Sequence, residues 1–155
     1  IFVFVADHVS SETFAPKTLT PTGNTQIVCL IYTPDGSLRG VNRSVAQQID
    51  LMPTLLGLTG YDRPYFAFGR DVLRETDREP MVSNYAGGTY QGITDSLVLF
   101  FDGERTLSAY LRSDTLQKND ISGIRTPALE AAERDLKARL QQYYRHVKQK
   151  DYLAE

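Results

Sequence analysis

The first residues in the chain whose types could do chemistry together are the adjacent pair Asp7 and His8. One offers a hard anionic oxygen and the other an imidazole nitrogen, a donor set that suits Zn or Mn and leaves room for further ligands from other strands. Taken alone, the dipeptide also fits a plain structural role, with Asp7 capping a loop and His8 hydrogen-bonded in a crevice. The other candidates read as structural. Cys29 lies in the apolar run QIVCLIY and is expected to be a buried, inert thiol. His146 sits in the basic stretch 145–150, where cations complement a helix C-terminus, so a solvated helix end is expected. Arg70-Asp71 and the aromatic residues Tyr61, Tyr65, Phe66 and Phe68 suit packing and surface pairing.

The pair must be positioned by what precedes it. Residues 1–6 (IFVFVA) carry no charge and are rich in β-branched and aromatic side chains. The run is too short for a membrane span, which needs about 20 apolar residues. It lacks the basic segment and cleavage site of a signal peptide. Apolar without alternation, it is expected to form a strand buried on both faces of a parallel sheet. Ligands gather outside the carboxyl ends of such strands, and Asp7-His8 stands at that end. A core strand with nothing ahead of it to cover its faces suggests the C-terminal part of a longer protein.

Residues 10–25, dense in Ser, Thr, Pro and Gly, are expected to be a long loop. Residues 26–32 suggest a second buried strand, closed by the turn Thr33-Pro34-Asp35-Gly36. A short helix follows, with Asp50 as N-cap, Pro53 in the first turn, Leu55, Leu56 and Leu58 as the buried stripe and Gly60 as the stop. An alternative starts it at Ser44, where Ser44-x-x-Gln47 matches a capping box, with Pro53 kinking it. Residues 61–80 read as an irregular excursion. The pieces MVSNY, TYQGIT, SLVLFFD and RTLSAYL, separated by Gly- and Asp-containing turns, predict an antiparallel meander that includes Tyr85, Tyr90 and Tyr110. Residues 126–152 predict one long amphipathic helix, opened by Thr126-Pro127, with Leu129, Ala132, Leu136, Leu140 and Tyr143/Tyr144 at helical spacing.

At 155 residues, with 41% hydrophobic and 23% charged residues, the composition is that of one globular domain. A formal net charge of −2 gives no basic field to recruit nucleic acid. A single cysteine excludes an internal disulfide. No repeat, low-complexity tract or linker divides the chain.

Three blocks, Phe4-Val5-Ala6-Asp7-His8, residues 49–56 (IDLMPTLL) and Phe68-Gly69-Arg70-Asp71, resemble the alkaline phosphatase/sulfatase superfamily in order and spacing. Within it the sequence is most similar to the lipoteichoic-acid-synthase-like, phosphoglycerol-transferase-type branch, whose members are commonly named sulfatases. The resemblance covers roughly residues 1–75. It implies an α/β fold: the C-terminal part of an alkaline-phosphatase-like domain, residues 1–155, with buried strands, a short helix, a small meander and a long C-terminal helix. It gives Asp7 and His8 the role of ligands to a divalent metal ion, Mn, Zn, Mg or Ca. The nucleophile and the other metal ligands of the family lie upstream, so no catalytic nucleophile is expected in this segment, and Cys29 does not match that position. Lys17, in the loop after the metal pair, corresponds to a basic residue that many relatives set against the anionic ester, with a solvated loop lysine as the other reading. Val9 stands where many relatives have Gly.

What the resemblance implies for function is a metal-dependent enzyme on the outer face of the cytoplasmic membrane, anchored by helices upstream of this soluble part. It would transfer a phosphoglycerol-type phosphate ester or, alternatively, hydrolyse a sulfate ester. Its partners would be an anionic phosphate or sulfate ester, lipid- or glycan-linked, and the upstream part of the same chain. A non-catalytic interaction module, with the acidic-histidine pair incidental, is the reading from a different class.

Overall fold

The computed structural model describes residues 1–12, 15–74 and 79–150. The two N-terminal apolar runs form β1 (Phe2–Val5) and β2 (Cys29–Tyr32). They pair with each other antiparallel, Phe2 opposite Tyr32 and Val5 opposite Cys29. This corrects the expectation of buried parallel strands: Phe2, Phe4, Leu30 and Tyr32 are all more than half exposed. The physical reason is that an uninterrupted apolar run specifies burial on both faces only where other layers exist to cover it. Here each strand finds its partner in the other, and among the described residues no helix packs closely on the ribbon. Cys29 shares the exposure of its strand and is no buried thiol.

The loop between these strands is more ordered than its composition suggests. It contains two 3-10 turns, Pro16–Leu19 and Gly23–Thr25. Thr20 joins them, its hydroxyl donating to the Lys17 carbonyl at 2.8 Å and accepting from the Gly23 N–H at 3.0 Å. Further on, a 3-10 turn at Gln48–Asp50 leads directly into α1 (Leu51–Leu58), so the start at Ser44 does not occur. The residues of α1 that are buried are Pro53 and Thr54, while Leu55, Leu56 and Leu58 are only half-buried. Gly60, at φ +69°, ends the helix as expected. Its N–H reaches the Gly57 carbonyl at 3.2 Å, and the N–H of Tyr61 reaches Leu56 at 2.9 Å. Those two bonds satisfy carbonyls that the last turn leaves open.

The meander follows the sequence pattern closely: β3 (Met81–Ala86), β4 (Thr89–Thr94), β5 (Leu97–Phe101) and β6 (Thr106–Leu111), antiparallel in that order. Gly87 and Gly88 both have positive φ, as a two-residue turn between paired Ala86 and Thr89 demands. The long helix α2 (Pro127–Gln149) is capped by the Thr126 hydroxyl, which accepts from the Leu129 N–H at 3.2 Å. Its buried residues Leu129, Ala132 and Leu136 pack on Met81, Leu97, Leu99, Phe101 and Ala109 of the sheet. Gly92 permits this approach, since a Cβ there would stand 3.1 Å from Leu136. On the other face of the sheet, buried Gln91 reaches the Pro21 carbonyl at 3.4 Å, and Gln117 donates to the Thr22 hydroxyl at 3.0 Å. The loop after β1 is thereby held against the meander.

Candidate metal centre

The chain leaves strand geometry after Val5, and the last backbone bond of the ribbon runs from the Ala6 N–H to Val28 at 3.2 Å. Beyond it Asp7 and His8 project from irregular backbone. Their side chains are 91% and 79% exposed, so a ligand can approach them freely. The Asp7 carboxylate accepts the His8 backbone N–H at 3.0 Å. His8 Nδ1 lies 2.6 Å from the Val9 carbonyl. A carbonyl can only accept, so Nδ1 carries the proton and the lone pair of neutral His8 lies on Nε2. That nitrogen is 3.7 Å from Asp7 Oδ1.

These distances test whether the pair fits a metal ion. Bonds of about 2.0–2.2 Å at tetrahedral angles set two donor atoms roughly 3.4 Å apart. The observed separation is within a few tenths of an ångström of that. The proton on Nδ1 bonded to a carbonyl is the arrangement that ligating histidines usually have, because it fixes the tautomer and the ring. The residues therefore fit a divalent cation. Among the described residues no group of three or more His, Cys, Asp and Glu gathers, so this segment offers two protein donors to such an ion.

A second cluster holds the segment in place. Gln48, in the turn before α1, donates from one amide nitrogen to the carbonyls of Ala6 and Asp7, each at 3.1 Å. Next to it, buried Asp50 accepts the Gln47 N–H at 2.9 Å and the Arg70 N–H at 2.8 Å. Asp50 does cap, but it caps the preceding turn and the 68–71 block rather than α1 itself. Thr54 bonds the Asp50 carbonyl at 2.7 Å and accepts the Val72 N–H at 3.1 Å. Gly69 lies so close to the Ile49 carbonyl that a Cβ would collide with backbone. The Arg70 guanidinium bonds the Val45 carbonyl at 2.9 Å and the Ser44 hydroxyl at 3.3 Å. The three sequence blocks are thus one connected structure, with the Asp-His pair at its exposed end.

Lys17 is exposed on the first 3-10 turn of the loop, and no hydrogen bond or ion pair engages its ammonium among the described residues. The structure does not bring it into contact with Asp7 or His8. His146 is not a solvated helix end, contrary to expectation: its ring packs on Phe66 at 4.9 Å and Phe68 at 5.8 Å between centroids. Tyr90 and Tyr144 share a 2.6 Å hydroxyl contact that pushes the Tyr90 phenol up from its ordinary value. Gln48 was invisible to motif reading, and the only signal was its place directly before the 49–56 block.

No helix among the described residues is long and apolar enough to cross a membrane. Neither the curated proteins nor the solved structures include one that matches the chain. Residues 1–61 do match the protein family described as Sulfatase, a span that holds Asp7, His8, Gln48 and the 49–56 block and stops before the meander and the last helix. Over that span the chain is similar to sulfatases, the ester-processing enzymes of the alkaline phosphatase superfamily.

Proposed function

We propose that the chain is the C-terminal part of a divalent-metal-dependent enzyme that transfers a phosphoglycerol-type phosphate ester. In this reading Asp7 and His8 are two of the metal ligands, and the nucleophile and remaining ligands come from an upstream part of the same protein. The observation that carries it is the geometry of the pair: Nδ1 of His8 spent on the Val9 carbonyl, and Nε2 left 3.7 Å from Asp7 Oδ1. A bound divalent cation supplies a fixed positive charge that lowers the pKa of an oxygen nucleophile and holds charge developing on the ester. Asp7 offsets part of that charge and anchors it. Neutral His8 binds without offsetting it, and Val9 keeps the ring aimed. The Lys17 ammonium, exposed in the loop after the pair, would draw the anionic ester inward as a point charge. The enzyme would work on the outer face of the cytoplasmic membrane, tethered by upstream helices.

Sulfate ester hydrolysis is the second reading, favoured by the description of the family that residues 1–61 match. Turnover of aryl phosphate and aryl sulfate esters by the intact protein separates the two. In either case Asp7→Ala is expected to lower kcat/KM by about 100-fold or more, as loss of a metal ligand does. Undiminished turnover in that variant would remove the metal role of the pair. The 155-residue chain alone is expected to have no turnover.

A further inference from the structure

The bridge from Gln48 has a consequence for the metal pair. Its single amide nitrogen holds two successive carbonyls, those of Ala6 and Asp7, at 3.1 Å each. These carbonyls flank the peptide that carries the Asp7 side chain, and the next peptide carries His8. Gln48 itself is exposed, so packing contributes little to its placement. Its position is set by its neighbours: Asp50 fastens the turn to Gln47 and Arg70, and Gly69 presses on Ile49 from the other side. The turn thus reaches across to the backbone at the point where β1 ends, just past its last ribbon bond from the Ala6 N–H to Val28.

We propose that Gln48 is a positioning residue for the metal centre, fixing the backbone at residues 6–7 so that the Asp7 and His8 donors stay at chelating separation. This rests on the reading of Asp7 and His8 as ligands. Two exposed side chains on irregular backbone would otherwise sample many separations, and the freedom given up on binding would lower affinity. The same logic gives the 68–71 block a part in metal binding at a distance, through Asp50 and the turn.

The test is Mn²⁺ binding to the intact protein, followed by the paramagnetic resonance of the free ion, with the thermal midpoint of each metal-free variant beside it. Gln48→Met keeps the length and loses the donor. Gln48→Glu keeps the shape but sets a carboxylate against two carbonyls. Both are expected to weaken Mn²⁺ by about tenfold, the scale of losing an outer partner of a metal ligand, with unchanged midpoints. The glutamate variant is decisive because its added negative charge alone would tighten cation binding. Wild-type or tighter affinity in Gln48→Glu, or wild-type affinity in Gln48→Met, would overturn the proposal. So would a large fall in both midpoints, which would make Gln48 part of the general fold. His8→Ala serves as the control: if it retains Mn²⁺, the ligand reading itself has failed, whereas lost metal there with normal binding in the Gln48 variants sinks only the positioning role.

Discussion

Asp50 shows how a single side chain couples sequence blocks that are 20 residues apart. It is 5% exposed, and its two carboxylate oxygens each accept a backbone N–H, from Gln47 and from Arg70. Removing them leaves two partly buried donors without partners, so Asp50→Ala is expected to cost about 2 kcal/mol or more in urea unfolding. A loss within experimental error would mean that water replaces the carboxylate and the clasp is not structural. The candidate ligands behave oppositely: Asp7 and His8 are exposed and their substitution should leave stability almost unchanged. Asp7 and His8 stand out in the sequence as candidates because their chemistry and their place after an apolar run coincide. Gln48 does not, since a glutamine acquires meaning only from the carbonyls it reaches, 41 and 42 residues away. Nor does the contact of His146 with Phe66 and Phe68, which joins the last helix to a region without periodicity.

At the scale of elements, the meander and last helix were readable because turn chemistry and periodicity are local. Gly87-Gly88 and Asp102-Gly103 could hardly do anything but turn, and Thr126-Pro127 opens a helix. Partnering of the two N-terminal runs was not local. The same apolar run suits a covered parallel strand or an exposed antiparallel ribbon, and only tertiary context decides. The joint between α2 and β6 offers a pH test. Glu133 accepts from Lys137 at 2.6 Å and from the Thr106 hydroxyl at 2.7 Å. The Lys137 bond first, then the Thr106 bond, holds its carboxyl below the usual glutamate value, against the opposing effect of burial. A carboxyl depressed in the folded state contributes stability above its unfolded pKa and loses it as pH falls through the folded one. Glu133→Gln is therefore expected to be about 0.5–1 kcal/mol less stable than wild type at pH 7. The gap should close in the acid range, as followed by urea unfolding at several pH values. A gap that widens on acidification would contradict the assigned hydrogen bonds.

For the whole molecule, two unlike halves stand side by side. One is a sheet with a helix on it and a dense apolar core; the other is a ribbon with Phe2, Phe4, Leu30 and Tyr32 in the open and, among the described residues, no further strand on either edge. Exposed apolar edges template pairing with other chains. The 155-residue chain is accordingly expected to self-associate with rising concentration in sedimentation, and Phe4→Lys with Leu30→Lys to suppress it. A monomer at all concentrations would show that the ribbon is closed in solution by something else in the chain. The same ribbon delivers Asp7 and His8 to the surface, and on that delivery the functional account depends. The most direct test is the divalent-metal content of the intact protein, wild type beside His8→Ala, at matched fold stability. The account predicts metal bound by the wild type and lost in the variant, together with ester turnover. Metal retained at wild-type stoichiometry and affinity in His8→Ala would contradict it and leave the resemblance to sulfatases one of fold alone.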